Sequence, residues 1–299
     1  MSRGPAEELL ERVRGTVGDT RRGSSQIALS LLELLAETPQ LFTPESSQLL
    51  MEIYSAVRAR RALVSPITLV SIILNALRLA EERGVALTVG EAASRLLRIY
   101  REALDRASSN LAAALSGCGA VLTLSKSSQV LRALKEAKTI RARILAGWPL
   151  MDGLEAFREL EKAGLSPRLY PDLSIGEALR GVDAVLVGCD AVLSDGAAAN
   201  RSGSYVVALA AKARDVPTIV VCDSSKLDVE GCWEREAWSV SWEGLEFGFD
   251  VFERIEPRLI SEYVCEWGRA EPTRFVEAAR RVVTEDWPAR IVGARRLRT

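Results

Sequence analysis

From Glu7 to about Arg106 the apolar residues recur three and four positions apart, as in Ile27, Leu31, Leu34 and Leu35 and again in Leu69, Ile72, Ile73 and Leu77. That period puts them on one face of a helix, and no alternating strand pattern interrupts it. Breaks fall at Thr38-Pro39, Thr43-Pro44 and Ser65-Pro66, where the residue before proline is driven out of the helical region. Thr88 followed by Glu91 reads as a capping box opening a helix through Tyr100. Residues 1–110 are therefore expected to form an all-helical domain.

After Asn110 the pattern changes to short apolar runs separated by amphipathic stretches. Strands are predicted at Ala120 to Thr123, Arg141 to Leu145, Ala184 to Gly188 and Thr218 to Cys222. Helices are predicted through Ala137, from Leu154 to Ala163 and from Tyr205 to Arg214. Strands alternating with helices predict βαβ units, so residues 111–299 are expected to form a Rossmann-like, doubly wound parallel sheet domain of the α/β class. In such sheets function sits at the carboxyl ends of the strands. The loops that reach that edge are Leu124 to Gln129, Trp148 to Gly153 and Cys189 to Ser204.

Composition narrows the chemistry. The 299 residues contain no histidine, which removes an imidazole base, a Ser-His-Asp triad and any histidine-ligated metal. Five cysteines, Cys118, Cys189, Cys222, Cys232 and Cys265, stand singly with no C-x-x-C pair, so no metal site or cofactor is expected. Their odd number, without a signal-peptide pattern, implies a reducing cytoplasm. Lys plus Arg (39) balances Asp plus Glu (40), leaving no global basic field for nucleic acid, and no apolar run announces a membrane span. Arginine dominates the cations, 33 to 6 lysines, which suits bidentate phosphate contacts or reflects base composition.

The longest loop, within Val187 to Ala213, carries Gly196, Asn200, Arg201, Gly203 and Ser204 ahead of a helix. Two readings fit: a phosphate cradle at a helix amino terminus with Ser204 as its cap, or a polar turn ending in an ordinary capped helix. Asp190 directly follows a strand, where a carboxylate serves as acid or base, or as a loop hydrogen-bonder. Cys189 points the other way by strand alternation and is expected to be buried. Arg21-Arg22-Gly23-Ser24-Ser25 precedes a strongly apolar helix, a second arrangement able to face a phosphate or to be a solvated cap. Arg295, Arg296 and Arg298 close the chain, as a solvated tail or an RNA contact.

These residues resemble the family that joins the alpha, beta and delta regulatory subunits of translation initiation factor 2B with methylthioribose-1-phosphate isomerase and ribose-1,5-bisphosphate isomerase. V-G-C-D-A-V-L-S-D-G-A-A-A-N-R-S-G-S-Y from Val187 to Tyr205 is similar to the family's V-G-A-D-A-V-x-x-N-G-x-x-x-N-K-x-G-T-Y. Val220-Val-Cys-Asp-Ser-Ser-Lys-Leu227 resembles V-V-A-E-S-Y-K-F, Phe249 to Pro257 resembles the F-D-x-T-P-P segment, and Arg22-Gly23-Ser24 matches R-G-A. The resemblance implies a helical domain followed by a Rossmann-like sheet, assembled into dimers or larger rings. It implies that the isomerases use a loop cysteine and the Asp of V-G-A-D to move protons between adjacent sugar carbons. Asp190 takes the second role, while Thr123-Leu-Ser-Lys-Ser127 stands where the active members read T-H-C-N-S, so Ser125 replaces the thiol. A thiol near pKa ~8.5 exchanges a proton at neutral pH, and a serine without a strong base does not. R-P-T becomes Ser65-Pro66-Ile67, and S-R-P-L-x-E-G becomes Gly147-Trp148-Pro-Leu-Met-Asp-Gly153, so two arginines are replaced by Ser65 and Trp148, with Arg143 close by in sequence.

The expectation is a cytoplasmic, self-associating regulatory or binding member without isomerase activity. Arg22, Gly23, Ser24, Asn200, Arg201 and Ser204 would hold a sugar phosphate or AMP, translation initiation factor 2 is the expected protein partner, and no membrane or direct nucleic-acid contact is expected. The rival expectation is a ribose-1,5-bisphosphate-type aldose-ketose isomerase in which Asp190 works with Cys118, Cys189 or Lys126.

Overall fold

The computed structural model describes residues 4–20, 22–37 and 47–293. The breaks at Thr38-Pro39 and Thr43-Pro44, Arg21, and the closing Arg295, Arg296 and Arg298 lie outside the described residues. Two compact units emerge, neither continuous in sequence. One contains the chain up to Glu102, Ser224–Trp233 and the residues from Glu277 on; the other contains Ala103–Asp223 and Glu234–Val276. The simple boundary expected near residue 110 therefore meets a chain that returns twice to its helical unit.

The helical unit is built from α1 (Pro5–Val17), α2 (Ser24–Glu37), α3 (Ser47–Arg58), α4 (Val64–Glu82), the first part of α5 (Val89–Ala114), and the closing segment. Ser65 and Pro66 sit in the first turn of α4, where a proline costs no helical hydrogen bond, so this break marks a start. α4 has 19 residues and is long and apolar enough to span a membrane, a run that the sequence reading did not single out. Here 61% of its apolar window is buried, with Ile67, Leu69, Val70, Ile72 and Ile73 inside the unit, which is the position of a core helix. The capping box is present: the Glu91 carboxylate accepts from the Thr88 N–H (3.0 Å), and the Thr88 hydroxyl accepts from the Glu91 N–H (3.2 Å). Thr88→Ala is expected to cost about 1 kcal/mol in urea denaturation; an unchanged midpoint would show that the cap contributes nothing. α5 runs well beyond Tyr100, because the period continues through Ala107 and Leu111.

The second unit holds β1 (Ala120–Leu124), α6 (Ser128–Ala137), β2 (Arg141–Leu145), α7 (Asp152–Lys162), β3 (Arg168–Tyr170), α8 (Ile175–Ala178) and β4 (Ala184–Val187). They are followed by β5 (Ala191–Val192), β6 (Ala198–Arg201), α9 (Ser204–Lys212), β7 (Thr218–Val221), β8 (Ala237–Trp242), β9 (Leu245–Asp250), β10 (Phe252–Ile255), β11 (Glu262–Cys265) and β12 (Gly268–Ala270). Helix α10 (Pro272–Arg281) leads through a π-helical turn, Val282–Asp286, to α11 (Trp287–Val292).

Seven strands form one sheet in the order β12-β11-β7-β4-β1-β2-β3, parallel throughout except for β12. Val121, Ile144, Leu186, Val221 and Val264 build its core against Val130, Leu134 and Leu160. The predicted α/β class and the strands at 120, 141, 184 and 218 are present. The connections run outward in opposite directions from β1 and β4, so the crevice beyond their carboxyl ends is the topological switch point where such sheets bind ligands.

One stretch read as a loop is not a loop. Between Cys189 and Ser204, β5 and β6 form a hairpin around Asp195-Gly196, with Gly196 at φ +85°, and β10 completes a three-stranded antiparallel sheet. β8 and β9 form a separate hairpin closed by Glu243 and Gly244, both at positive φ.

Candidate functional site

The loops after β1 and β4 meet at the switch point. Thr123 pairs with Leu186 across the two strands, and Gly188 lies so close that a Cβ there would stand 2.7 Å from Ser127 Cβ. Glycine is required because the first loop fills the space a side chain would need. Ser125 holds a left-handed backbone, φ +63°, uncommon for a residue with a side chain and found at functional turns.

Its hydroxyl donates to Asp152 Oδ2 at 2.8 Å. Asp152 opens α7, and the same oxygen lies 3.3 Å from Arg201 Nε at the end of β6. Both side chains are over four-fifths buried. Burial pushes the Asp152 carboxyl up, opposed by the Arg201 guanidinium, the Ser125 hydroxyl and the Gly153 N–H. The Arg201 guanidinium lies 4.9 Å from the Phe252 ring centre and 5.9 Å from that of Trp238, and its Nη1 is buried without a hydrogen-bond partner among the described residues. Ser125, Asp152 and Arg201 thus form a polar triad joined through Asp152, with Phe252 and Trp238 beside the guanidinium. Asp152 was not singled out from the sequence; its signal was its place in the Gly147–Gly153 segment, where the family carries a glutamate.

Asp190 emerges at the same carboxyl edge, half-buried, with its N–H given to Ala199 O at 2.8 Å. Its carboxylate makes no hydrogen bond or ion pair among the described residues. Ser125 therefore points its proton at Asp152 and not at Asp190. Asn200 and Ser204 are buried, their side chains 2.8 Å apart, and the Ser204 hydroxyl donates to the Arg201 carbonyl at 2.6 Å.

Ser204 does not cap α9, as the sequence suggested. Gly203, at φ +96°, takes the cap position with no side-chain bond, and Ser204 is the first helical residue. The helix amino terminus is filled from a distance: Glu253 Oε1 accepts from the Tyr205 N–H at 2.6 Å. Burial pushes the Glu253 carboxyl up, while the Tyr205 and Gly203 N–H groups hold the charged form. The anion position of the expected cradle is thus occupied by the chain's own carboxylate. A raised carboxyl contributes stability below its unfolded pKa that is lost as pH rises through the folded value. Wild type is accordingly expected to lose stability relative to Glu253→Gln between pH 4 and pH 7. Equal gaps in denaturant midpoint at the two pH values would refute it.

The remaining candidates are distributed as follows. Trp148 is half exposed and edge-on to Phe247 with centroids 5.6 Å apart; its N–H and that of Gly147 are held by Asp172, both at 2.9 Å. Arg143 turns to the Ala178 carbonyl (2.8 Å), at the end of α8, and Lys126 pairs with Glu155 at 3.0 Å. Cys189 is buried, with its thiol donating to the Ala191 carbonyl at 3.0 Å. Cys118 precedes β1, at the amino edge of the sheet, and burial pushes its thiol up. Parallel strands of this length separate that edge from Asp190 by about 15 Å.

In the helical unit, Arg22 is half exposed and engaged with Asp19 (3.2 Å) and Ser30 (3.0 Å). Gly23 is followed by Ser24, buried, whose hydroxyl meets the Nζ of the buried Lys226. Ser65 is buried and accepts from the Ser225 hydroxyl at 2.9 Å.

A helical unit joined to a parallel sheet in the order 3-2-1-4, with Asp190 and an Asn200-Arg201 pair at its switch point, defines a Rossmann-like protein. A model of the initiation factor 2 subunit family matches residues 20–244, and the chain belongs to that family. It is 29% identical over 220 residues to a putative translation initiation factor eIF-2B subunit 2-like protein of Pyrococcus abyssi, covering 72% of this chain and 75% of that one. It is 28% identical over 181 residues to the ribose 1,5-bisphosphate isomerase of Archaeoglobus fulgidus, covering 55% and 56%. The crystal structure of the Pyrococcus horikoshii OT3 translation initiation factor eIF-2B superposes with TM-score 0.76 at 21% identity over 90% of this chain and 99% of that one.

Proposed function

We propose that this chain is a regulatory or binding member of the family that does not isomerise sugar phosphates, acting in the cytoplasm as a dimer or larger assembly. The observation that carries the reading is the Ser125–Asp152–Arg201 triad. Where the active members place a thiol, a hydroxyl is committed to a carboxylate that is itself neutralised by arginine. Moving a proton between two sugar carbons needs a group that releases and recovers it near neutral pH. Ser125 meets only a carboxylate, too weak a base to ionise a hydroxyl, and Cys189 is turned into the interior.

Glu253 on the α9 terminus and Asp152 on Arg201 both stand where a phosphate would bind, which favours a modest sugar-phosphate or AMP affinity and a larger role for protein contacts, with translation initiation factor 2 as the partner. The test is a coupled assay with ribose 1,5-bisphosphate and methylthioribose 1-phosphate on the purified chain, with binding of sugar phosphates, AMP and initiation factor 2 measured in parallel. No turnover is expected with either substrate, together with saturable binding of at least one partner. Turnover with either substrate refutes the non-catalytic reading, and the absence of all binding refutes the regulatory one.

A second reading rests on Asp190, whose half-buried, unpaired carboxylate at the switch point is what a general base requires. It predicts turnover that Asp190→Asn abolishes.

A further inference from the structure

A cavity of about 140 Å³ lies wholly inside the helical unit. One wall is a single face of α4, with Val64, Ile67, Thr68, Ser71, Ile72 and Asn75 at helical spacing, and the others come from Asp228–Cys232 and from Val283 and Thr284. The last two belong to the π-helical turn, a rare backbone irregularity that is frequent at functional sites. Space of about 150 Å³ holds a benzene-sized molecule.

Most polar groups on the walls are already engaged within the protein. The Thr68 hydroxyl goes to the Leu227 carbonyl (3.3 Å) and that of Thr284 to the Arg280 carbonyl (2.8 Å). Asp228 accepts the Cys232 and Trp233 N–H groups at 3.0 and 2.8 Å. Glu230 takes the Tyr54 hydroxyl, the Ser71 hydroxyl (2.8 Å) and the Arg58 guanidinium (3.5 Å). Burial pushes the Cys232 thiol up to about 12, so it stays a neutral wall atom. What remains is Asn75, half-buried, whose side-chain amide makes no hydrogen bond among the described residues. One free donor and one free acceptor side by side match the edge of an amide or lactam. Two carboxylates against one arginine leave a negative balance, which rejects anions.

We propose that this cavity is a binding site for a small neutral ring bearing an amide-type edge, held by apolar contact with Val64, Ile67 and Ile72 and by paired hydrogen bonds to Asn75. Its lining comes from the helical unit alone and includes none of the residues on which the function proposed above rests, so it stands or falls independently of that function.

Benzamide is the probe, titrated into the full chain and followed by ligand-observed NMR, with benzoate and toluene as comparators and the heat-denaturation midpoint as a control for folding. Saturable binding near about 1 mM is expected for a ligand of this size. Benzoate is expected at least tenfold weaker because of Asp228 and Glu230, and toluene weaker because it lacks the edge. Asn75→Leu, which keeps volume, is expected to retain the melting temperature and weaken benzamide at least tenfold. Ile72→Phe, which fills the space, is expected to abolish binding; if it unfolds, Asn75→Leu alone decides. No saturation by 10 mM (about tenfold above the expected Kd), equal binding of benzoate, or unchanged affinity in Asn75→Leu overturns the proposal.

Discussion

Replacing Arg201 with methionine is expected to destabilise the protein by about 3 kcal/mol at pH 7. Methionine preserves much of the packing against Phe252 and Trp238, so the loss is chiefly electrostatic. It strands Asp152, over four-fifths buried, with the Ser125 hydroxyl and the N–H groups of Gly153 and of Asp152 itself to stabilise its charge. Breaking a buried pair from one side costs about 3–5 kcal/mol, and the residual exposure here favours the low end.

The sign of the pH dependence is fixed by the same geometry. The Asp152 carboxyl already sits above its ordinary range, and without Arg201 it rises further, so acid restores the neutral form that burial prefers. The deficit is therefore expected to shrink from pH 7 to pH 4, and Arg201→Met combined with Asp152→Asn to recover most of it. Denaturant midpoints of the single and double variants at both pH values check this. A deficit that is constant with pH, or additive in the double variant, would mean that the two residues are not a pair.

Gly153→Ala is expected to cost about 3 kcal/mol or more, and to lower the yield of soluble protein. Gly153 is the second residue of α7, and a Cβ there would stand 1.8 Å from the Leu145 carbonyl oxygen and 2.9 Å from that of Ala146. Both obstacles are backbone, at the end of β2, and cannot rotate away as a side chain would. α7 must therefore back off the sheet, taking Asp152 with it. Circular dichroism against urea, together with the yield of soluble protein, measures the effect. A variant as stable as wild type would show that the helix start has slack the structure does not display.

The strands β1, β4 and β7 were legible because both faces of a central parallel strand are buried, which leaves a nearly continuous apolar run; β2, Arg141-Ala-Arg-Ile-Leu145, showed itself only by its apolar end and its place between two helices. β6 was not: Ala198-Ala199-Asn200 offers too little apolar surface to register as a strand, although Asp195-Gly196 is a hairpin signal that pointed to it. The same limit governs the site. Asp190, Asn200 and Arg201 could be picked out by residue type and position in a strand-end loop, and Ser125 only through the family resemblance. That Glu253 fills the amino terminus of α9, and that Asp152 rather than Asp190 receives the Ser125 proton, depends on pairings across roughly 30 to 50 residues, which local pattern does not encode. Ser204 shows the cost: a serine before a helix is normally its cap, but here Gly203 and a distant carboxylate make that cap unnecessary.

The interleaving of the two units carries a consequence for how the protein is made. The chain passes between them after Glu102, Asp223, Trp233 and Val276, and α4 finishes its surroundings only with α11. Tyr100 likewise meets its aromatic neighbour Trp287 almost two hundred residues later, at 6.4 Å between ring centres. On a ribosome, the first helices emerge long before the segment that completes their core leaves the exit tunnel. The nascent chain must carry an unfinished apolar surface until α11 has emerged, so its window of exposure to chaperones is set by the position of α11 rather than by the length of the helical unit.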